Sequence, residues 1–99
     1  MEKVLKAGVV GCGGIANGKH LPAIKKIKEV EIIAFCDIIE ERAKKAAEEY
    51  GAEGAKVYTD YKEMIDNNDF DMVYVLTPNR EHYPISVYAL EHDCHVICE

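Results

Sequence analysis

The sequence lacks a long apolar run, an apolar leader and a surplus of positive charge. No apolar stretch approaches the roughly 20 residues of a membrane-spanning helix, and Met1 to Lys3 lead only into a short apolar run interrupted by Lys6. The formal net charge of −6 argues against nucleic acid or an anionic membrane as the main partner. These absences predict a cytoplasmic protein, whose four cysteines are free thiols rather than disulfides.

The residues that are present describe one small domain of alternating strand and helix patterns. Its 99 residues, of which 48% are hydrophobic and 30% charged, suffice for one modest core. Short apolar runs indicate strands buried on both faces, as in a parallel sheet. The predicted strands are Leu5 to Val10, Glu31 to Cys36, Lys56 to Tyr58, Asp71 to Leu76 and His95 to Cys98. The alternation predicts an α/β fold with a doubly wound parallel sheet of five strands and helices on both faces.

Helical patterns lie between these strands. We expect a helical piece that starts at Pro22, a helix from Ile39 to Tyr50 capped by Gly51, and a helix from Tyr61 to about Asp66. Asp60 and Glu63 have the spacing of a capping box for that third helix. A last helix runs to about His92 with Asn79 as its candidate N-cap. Because Pro84 is tolerated only near a first turn, this helix could begin as late as His82 or Tyr83.

A glycine-rich turn follows the first strand, with the sequence Gly11-Cys12-Gly13-Gly14-Ile15-Ala16. The pattern is G-x-G-x-x-A, in which Gly11 allows a sharp turn and Gly13 leaves room for a pyrophosphate near the backbone. Ala16 lets the following helix pack closely against the strand. The start of that helix offers free N–H groups to an anion. The stretch therefore predicts a dinucleotide site.

An acidic residue stands where such a site needs one. Asp37 ends the second strand, 21 positions after Ala16, and an acid at about this distance accepts hydrogen bonds from the adenosine ribose. It also repels the 2′-phosphate of NADP. Ile38 and Ile39 offer no cation, and Arg42, one helical turn on, could reach only with difficulty. We therefore predict NAD rather than NADP; the alternative is that Asp37 is simply a helix N-cap.

The chain resembles the N-terminal NAD(P)-binding Rossmann domain of the GFO/IDH/MocA oxidoreductases, the family of glucose–fructose oxidoreductase and inositol dehydrogenase. The resemblance extends over the whole chain. It rests on the glycine turn, Cys36-Asp37 with Glu41-Arg42-Ala43, Thr77-Pro78-Asn79 with His82, and His95-Val96-Ile97-Cys98-Glu99.

This resemblance implies a set of cofactor-binding residues. Gly11, Gly13, Gly14 and Ile15 would hold the pyrophosphate, Asp37 with Ile38 the adenosine ribose, and Thr77, Pro78 and Asn79 would line the cleft beside His82. Glu99 corresponds to the acid of the family's Glu-Lys-Pro motif. Since the lysine of that motif would come next, we expect a fragment of a longer protein, with no catalytic residue of its own and without the substrate domain. Asp93 stands where the family commonly has a glycine in a left-handed turn.

The resemblance also implies an activity for the parent protein. It is hydride transfer between a nicotinamide cofactor and a hydroxyl-bearing carbon of a sugar, cyclitol or related polyol, with the small-molecule substrate bound only when the missing domain is present. Two alternatives stay open: an NAD-dependent glycosidase of the same family, and a non-catalytic dinucleotide-binding interaction module. An exposed sheet edge could also drive self-association.

The histidines and cysteines do not predict a metal site. His92, Cys94, His95 and Cys98 cluster in sequence, but a strand points His95 and Cys98 to opposite faces. Cys12, Cys36 and Cys98 fall at the carboxyl ends of strands. We interpret them as small core residues, with oxidation-sensitive neighbours of the cofactor as the alternative.

Overall fold

The computed structural model describes residues 4–13, 21–27, 29–77 and 79–98; the side chains of residues 25, 79–83 and 98 lie outside the description. The strands are β1 (Leu5–Val10), β2 (Val30–Cys36), β3 (Lys56–Tyr58), β4 (Met72–Val75) and β5 (His95–Cys98). The helices are α1 (Leu21–Lys25), α2 (Glu40–Tyr50), α3 (Tyr61–Asp66) and α4 (Asn79–Glu91). All five predicted strands are confirmed to within one residue at each end.

The strands form one parallel sheet in the order β3-β2-β1-β4-β5. The chain builds outward from β1 to β3, then returns to the other side of β1 and builds outward again. This is the predicted doubly wound Rossmann sheet. Its direction reverses between β1 and β4, and in such sheets the crevice at the carboxyl ends of these strands is where ligands bind.

The sheet is covered on both faces, as the sequence predicts. Neighbouring residues of β1 point to opposite sides: Val9 belongs to a core with Phe35 and Ala43, and Val10 to a core with Met64 and Val75. The first core is closed by α1 and α2, and the second by α3 and α4. This two-sided burial explains why the strands are nearly continuous apolar runs. No helix within the described ranges is long and apolar enough to cross a membrane.

The residues that end α2 and α4, Gly51 and Asp93, differ in backbone conformation. Gly51 caps α2 as predicted, and its N–H donates to Ala47 O at 3.0 Å, but its φ of −79° lies outside the left-handed region. A glycine is needed there for space, because a Cβ would lie 2.6 Å from Ala47 O and 2.9 Å from Phe35 Cε1. Asp93 does have the predicted left-handed conformation, with φ of 63°.

The third helix is capped at both ends by polar side chains. Asp60, as predicted, caps α3: its Oδ1 accepts a hydrogen bond from Lys62 N at 2.9 Å. At the other end, the side-chain amides of Asn67 and Asn68 donate to Glu63 O and Met64 O, each at 2.8 Å. Because α3 is only six residues long, these bonds satisfy a large share of its free backbone groups.

The fourth helix begins earlier than the latest predicted start. It includes Asn79 as its first residue, rather than as a preceding N-cap, and Pro84 is its sixth. Proline at this position removes one backbone hydrogen bond, to the carbonyl of residue 80. Pro84 is exposed, whereas the following Ile85 and Ala89 are buried against the sheet. Burial of this apolar face offsets the lost hydrogen bond. That burial depends on packing against the sheet, so the sequence around Pro84 does not predict it.

Candidate functional site

The carboxyl ends of β1, β2 and β4 meet at the glycine turn. Gly11 N–H donates to Cys36 O on β2 at 2.8 Å, and Leu76 N–H donates to Val10 O at 2.8 Å. Gly11 has a φ of 98°, and a Cβ there would lie 2.8 Å from the carbonyl carbon of Leu76. The sharp turn therefore requires glycine both for its conformation and for its closeness to the end of β4.

Gly13 is half-buried and is less crowded by the described residues than Gly11 is. A Cβ at Gly13 would meet just one described atom within 4 Å, Arg42 Nη1 at 3.7 Å. The two glycines thus differ: a Cβ at Gly11 would clash with protein, whereas a Cβ at Gly13 would clash with none of the described atoms. A clear approach at this position is what a pyrophosphate requires, so the turn fits a dinucleotide. Gly14, Ile15 and Ala16 lie outside the described residues.

Asp37 holds the glycine turn to the start of α2. Its Oδ2 accepts a hydrogen bond from Cys12 N–H and its Oδ1 accepts one from Ile39 N–H, each at 2.8 Å, and the residue is only 8% exposed. The N-cap of α2 is Ile39, so the alternative interpretation of Asp37 as the N-cap is wrong. A carboxylate accepts about four hydrogen bonds. Among the described residues, two of these positions accept backbone N–H groups, so the carboxylate has capacity for further donors such as ribose hydroxyls.

Two isoleucines beyond Asp37 contribute little to either core. The side chain of Ile38 is 85% exposed and that of Ile39 is 42% exposed. These exposed apolar side chains directly follow the buried carboxylate of Asp37 along the chain. Neither isoleucine offers a cation to a phosphate, as predicted from the sequence.

Arg42 lies closer to the turn than the sequence suggests. Its Nη1 is the atom 3.7 Å from the Cβ position of Gly13, so the guanidinium reaches across from α2 to the glycine turn. This contact lies at the glycine turn, so the prediction that Arg42 could reach a 2′-phosphate only with difficulty stays a prediction. The signal that could have found it is the Glu41-Arg42-Ala43 motif, because position 42 lies on the first turn of the helix that follows Asp37.

Thr77 is brought against the turn from the other side. It follows β4, is half-buried, and its Cγ2 would lie 2.9 Å from a Cβ at Gly11. Gly11, Gly13, Asp37 and Thr77 are thus assembled at one edge of the sheet. Of the other predicted site residues, Asn79 and His82 lie in the first turns of α4 with their side chains outside the description. Pro78 and Glu99 lie outside the described residues altogether.

The thiols near the site are buried and unreactive. Burial, followed by the negative charge of Asp37, raises the pKa of both the Cys12 and the Cys36 thiols from 9.0 to about 12. Cys12 Sγ lies 3.6 Å from Cys36 O. Protonated, buried thiols are poor nucleophiles, which confirms the interpretation of Cys12 and Cys36 as core residues. Cys12, Cys36 and Cys94 are thiols rather than disulfides, and among the described residues no three metal-binding side chains converge.

The chain is similar in sequence to enzymes that are much longer. It is 37% identical over 95 residues to an inositol 2-dehydrogenase from Salmonella typhimurium, covering 96% of this chain and 28% of that protein. It is 31% identical over 104 residues to a glycosyl hydrolase family 109 protein from Porphyromonas gingivalis, covering 98% of this chain and 22% of that protein. The chain therefore spans about a quarter of the length of these relatives.

The chain is also similar to solved structures of longer proteins. A scyllo-inositol dehydrogenase from Lactobacillus casei with bound NAD(H) and scyllo-inositol superposes with a TM-score of 0.86 at 27% identity, over 97% of this chain and 28% of that one. A 3-ketoreductase from Actinomadura kijaniata in complex with TDP-benzene and NADP superposes with a TM-score of 0.86 at 29% identity, over 97% of this chain and 30% of that one. Both dinucleotides are thus found in structural relatives of this domain.

A family assignment follows from the length of the match. Residues 5–99 match the oxidoreductase family with an NAD-binding Rossmann fold, and that range takes in the glycine turn, Asp37 and Thr77. The resemblance identified from the sequence motifs is confirmed. The chain belongs to the GFO/IDH/MocA oxidoreductase family, as its NAD-binding Rossmann domain.

Proposed function

We propose that this chain binds the adenosine half and the pyrophosphate of a nicotinamide dinucleotide for an oxidoreductase. The observation that carries the proposal is the glycine turn, which is uncrowded at Gly13 by the described atoms and is bonded to the buried carboxylate of Asp37. A pyrophosphate on the turn places the adjoining ribose against that carboxylate. Because backbone donors already fix Asp37 in place, its remaining acceptor positions are preorganised for the ribose hydroxyls.

Each predicted site residue has a part in this binding. Gly11, Gly13, Gly14 and Ile15 surround the pyrophosphate, and Ile38 offers apolar contact on the adenosine side. Thr77, Pro78 and Asn79 line the crevice after β4, His82 lies beside the cofactor, and Glu99 lies toward the nicotinamide ribose. The bound cofactor supplies the chemistry of hydride transfer, whereas these residues bind and orient it.

The substrate we propose is a sugar, a cyclitol or a related polyol with a hydroxyl-bearing carbon. The relatives named above include dehydrogenases of inositols and a ketoreductase. This chain corresponds to the dinucleotide-binding quarter of such proteins, so substrate contacts come from residues beyond it. The longer protein is therefore the enzyme, and the chain alone is expected to bind cofactor without turnover.

Calorimetric titration of the 99-residue chain with NAD tests the cofactor proposal. We expect saturable binding, weakened about tenfold or more in Asp37→Ala, because that carboxylate binds the ribose and also holds the turn. Lys44→Met is the matched control, since Lys44 is an exposed residue of α2 that pairs with Glu40 at 3.0 Å. A folded sample that binds no NAD would contradict the proposal.

A second candidate is an NAD-dependent glycosidase, favoured by the 31% identity to the glycosyl hydrolase family 109 protein. In that reaction the cofactor would be reduced and reoxidised within one turnover, so no net NADH would form. Incubation of the longer protein with NAD and a free polyol separates the two activities. Accumulation of NADH supports the dehydrogenase, whereas release of sugar from a glycoside without NADH supports the glycosidase. A non-catalytic module would give neither product.

A further inference from the structure

Three polar side chains meet where α3 and α4 end. Asp66 is the last residue of α3, Tyr88 lies in the last turn of α4, and His92 follows that helix directly. The Tyr88 hydroxyl donates to Asp66 Oδ1 at 2.7 Å, and His92 Nε2 lies 3.3 Å from the same oxygen. Both helices begin after the carboxyl ends of strands, so this Asp66–Tyr88–His92 cluster lies toward the opposite edge of the sheet from the crevice.

Each ring nitrogen of His92 faces a hydrogen-bond acceptor. Nδ1 lies 2.8 Å from the carbonyl oxygen of Tyr88, which has no proton to donate, so Nδ1 carries a proton. Nε2 faces the Asp66 carboxylate. A neutral imidazole has one N–H and one lone pair, and here the lone pair would point at the carboxylate oxygen. The imidazolium, in contrast, donates to both acceptors, so the arrangement fits the protonated ring.

The groups around the imidazole hold it in this position. It stacks on the ring of Tyr88, with the centroids 4.2 Å apart and an angle of 22° between the planes. The backbone N–H of His92 donates to Ala89 O, which places the residue at the C-terminus of α4, where the helix dipole favours a cation. The hydrogen bond to Asp66 raises the pKa of Tyr88 to about 12, so the hydroxyl keeps donating while an imidazole titrates.

Negative charge predominates around the stacked rings of Tyr88 and His92. The ionisable neighbours that the structure describes there are Asp60, Tyr61, Lys62 and Asp66, on α3 and its N-cap, and Asp93 beside His92 in the chain. The one cation among these neighbours, Lys62, has its Nζ 5.7 Å from the centroid of the Tyr88 ring. Three carboxylates thus outweigh one lysine, which favours a proton on the imidazole.

We infer that His92 is a pH-sensitive link between α3 and α4. When the ring is protonated, Nε2–H donates to the Asp66 carboxylate. When it is neutral, that hydrogen bond is lost, while the stack on Tyr88 and the bond from Nδ1 remain. An imidazole changes its charge between about pH 5 and pH 8. Because the unfolded chain lacks this partner, protonation stabilises the folded chain, and the gain is lost as the pH rises through this range. None of the three residues lies in the crevice, so the inference does not depend on the proposed function.

A double-mutant cycle between Asp66 and His92, measured at pH 6 and at pH 8, tests this inference. Asp66→Asn removes the charge but keeps an oxygen that accepts from Tyr88, and His92→Phe keeps a ring that stacks on Tyr88 but has no N–H. Urea unfolding of the wild-type chain, both variants and the double variant gives the coupling between the two side chains. We expect this coupling to change the unfolding equilibrium constant about two- to fivefold at pH 6, as for an exposed ion pair, and less than about 1.5-fold at pH 8.

His95→Phe is the matched control, because His95 is an exposed residue of β5 that makes no ion pair with Asp66 among the described residues. Its cycle with Asp66→Asn should show no coupling at either pH. Nitrogen-15 spectra of the imidazole rings give a second measurement that does not rely on unfolding: both nitrogens of His92 should carry protons at pH 6, and Nδ1 alone at pH 8. A coupling that is equal at both pH values, or absent at both, would overturn the inference, as would a neutral ring with its proton on Nε2.

Discussion

At the scale of single residues, the site is held together by hydrogen bonds that the sequence does not predict. The spacing of Asp37 from the glycine turn predicts that it belongs to the site. It does not predict that each oxygen accepts a backbone N–H, because those bonds depend on how the turn closes over β2. The reach of Arg42 escapes prediction for a similar reason. A long side chain with several rotamers can extend in many directions, and only the packed turn shows which one it takes.

The buried thiols predict a loss of stability in alkali. Folding raises the pKa of Cys12 and of Cys36 from 9.0 to about 12, so between these values the unfolded chain releases protons that the folded chain retains. Stability is therefore full below pH 9.0 and falls as the pH rises. Each thiol lowers the free energy of unfolding by about 1.4 kcal/mol per pH unit in that range. Urea unfolding under reducing conditions from pH 8 to pH 10 measures this slope.

Cys12→Ala isolates the contribution of one thiol. It should reduce the alkaline slope by the share of one thiol, whatever its effect on stability at neutral pH. Tyr88→Phe is the control, because a hydrogen bond to Asp66 raises the pKa of Tyr88 from 10.0 to about 12 and its effect begins only above pH 10. A free energy of unfolding that stays constant from pH 8 to pH 10 would contradict the assignment of buried, protonated thiols.

At the scale of elements, strands were easier to predict than helix ends. The apolar runs locate all five strands because each strand is buried on both faces. Each run is also short, so the first and last residues of the strand are well defined by it. The start of α4 is less clear, because Pro84 argues locally against the helix whereas burial of Ile85 and Ala89 argues for it. Gly51 is similar: a cap residue is visible in the sequence, but its close contact with Phe35 is a property of the packed core.

The end of α4 offers a stabilising substitution. Cys94 N–H donates to Ala89 O and Asp93 N–H donates to Leu90 O, which is the hydrogen-bond pattern of a Schellman motif with Asp93 in the left-handed position. Asp93→Gly removes the steric cost of a side chain there, partly offset by the greater freedom of glycine in the unfolded chain. We expect a gain of about 0.5 to 1 kcal/mol in the free energy of unfolding.

Denaturant unfolding at neutral pH measures this gain. Asp69→Gly is the matched control, because Asp69 is exposed like Asp93 but is not in the left-handed region. It gains nothing from added backbone freedom and should be neutral or destabilising. Loss of stability in Asp93→Gly would mean that the aspartate side chain contributes more than its conformation costs.

At the scale of the whole molecule, the sheet has an open side. β5 pairs with β4 and stands at the end of the strand order, so within the described residues its second edge has no strand partner. Ile97 on this strand is 37% exposed. An unpaired, partly apolar edge is a template for pairing with another chain. We assign the predicted self-association to this edge rather than to the other edge at β3, because β3 is a strand of only three residues. This location is distinct from the crevice at the carboxyl ends of β1 and β4.

We predict that the isolated 99-residue chain dimerises through this edge as its concentration rises. A lysine on an edge strand disfavours such pairing, because pairing would bring the like charge of the second copy close to it, so Ile97→Lys should shift the chain toward monomer. Val4→Lys introduces the same charge at an exposed residue before β1, away from the edge, and should leave the association unchanged.

Sedimentation velocity over a range of concentrations distinguishes these cases. A wild-type chain that sediments as a monomer at the highest concentration would refute edge pairing, and equal loss of association in both variants would indicate general charge repulsion. Because the proposed NAD site lies at the crevice, saturating cofactor should leave the edge-mediated dimer intact, and this independence would tie the association to β5 rather than to the site.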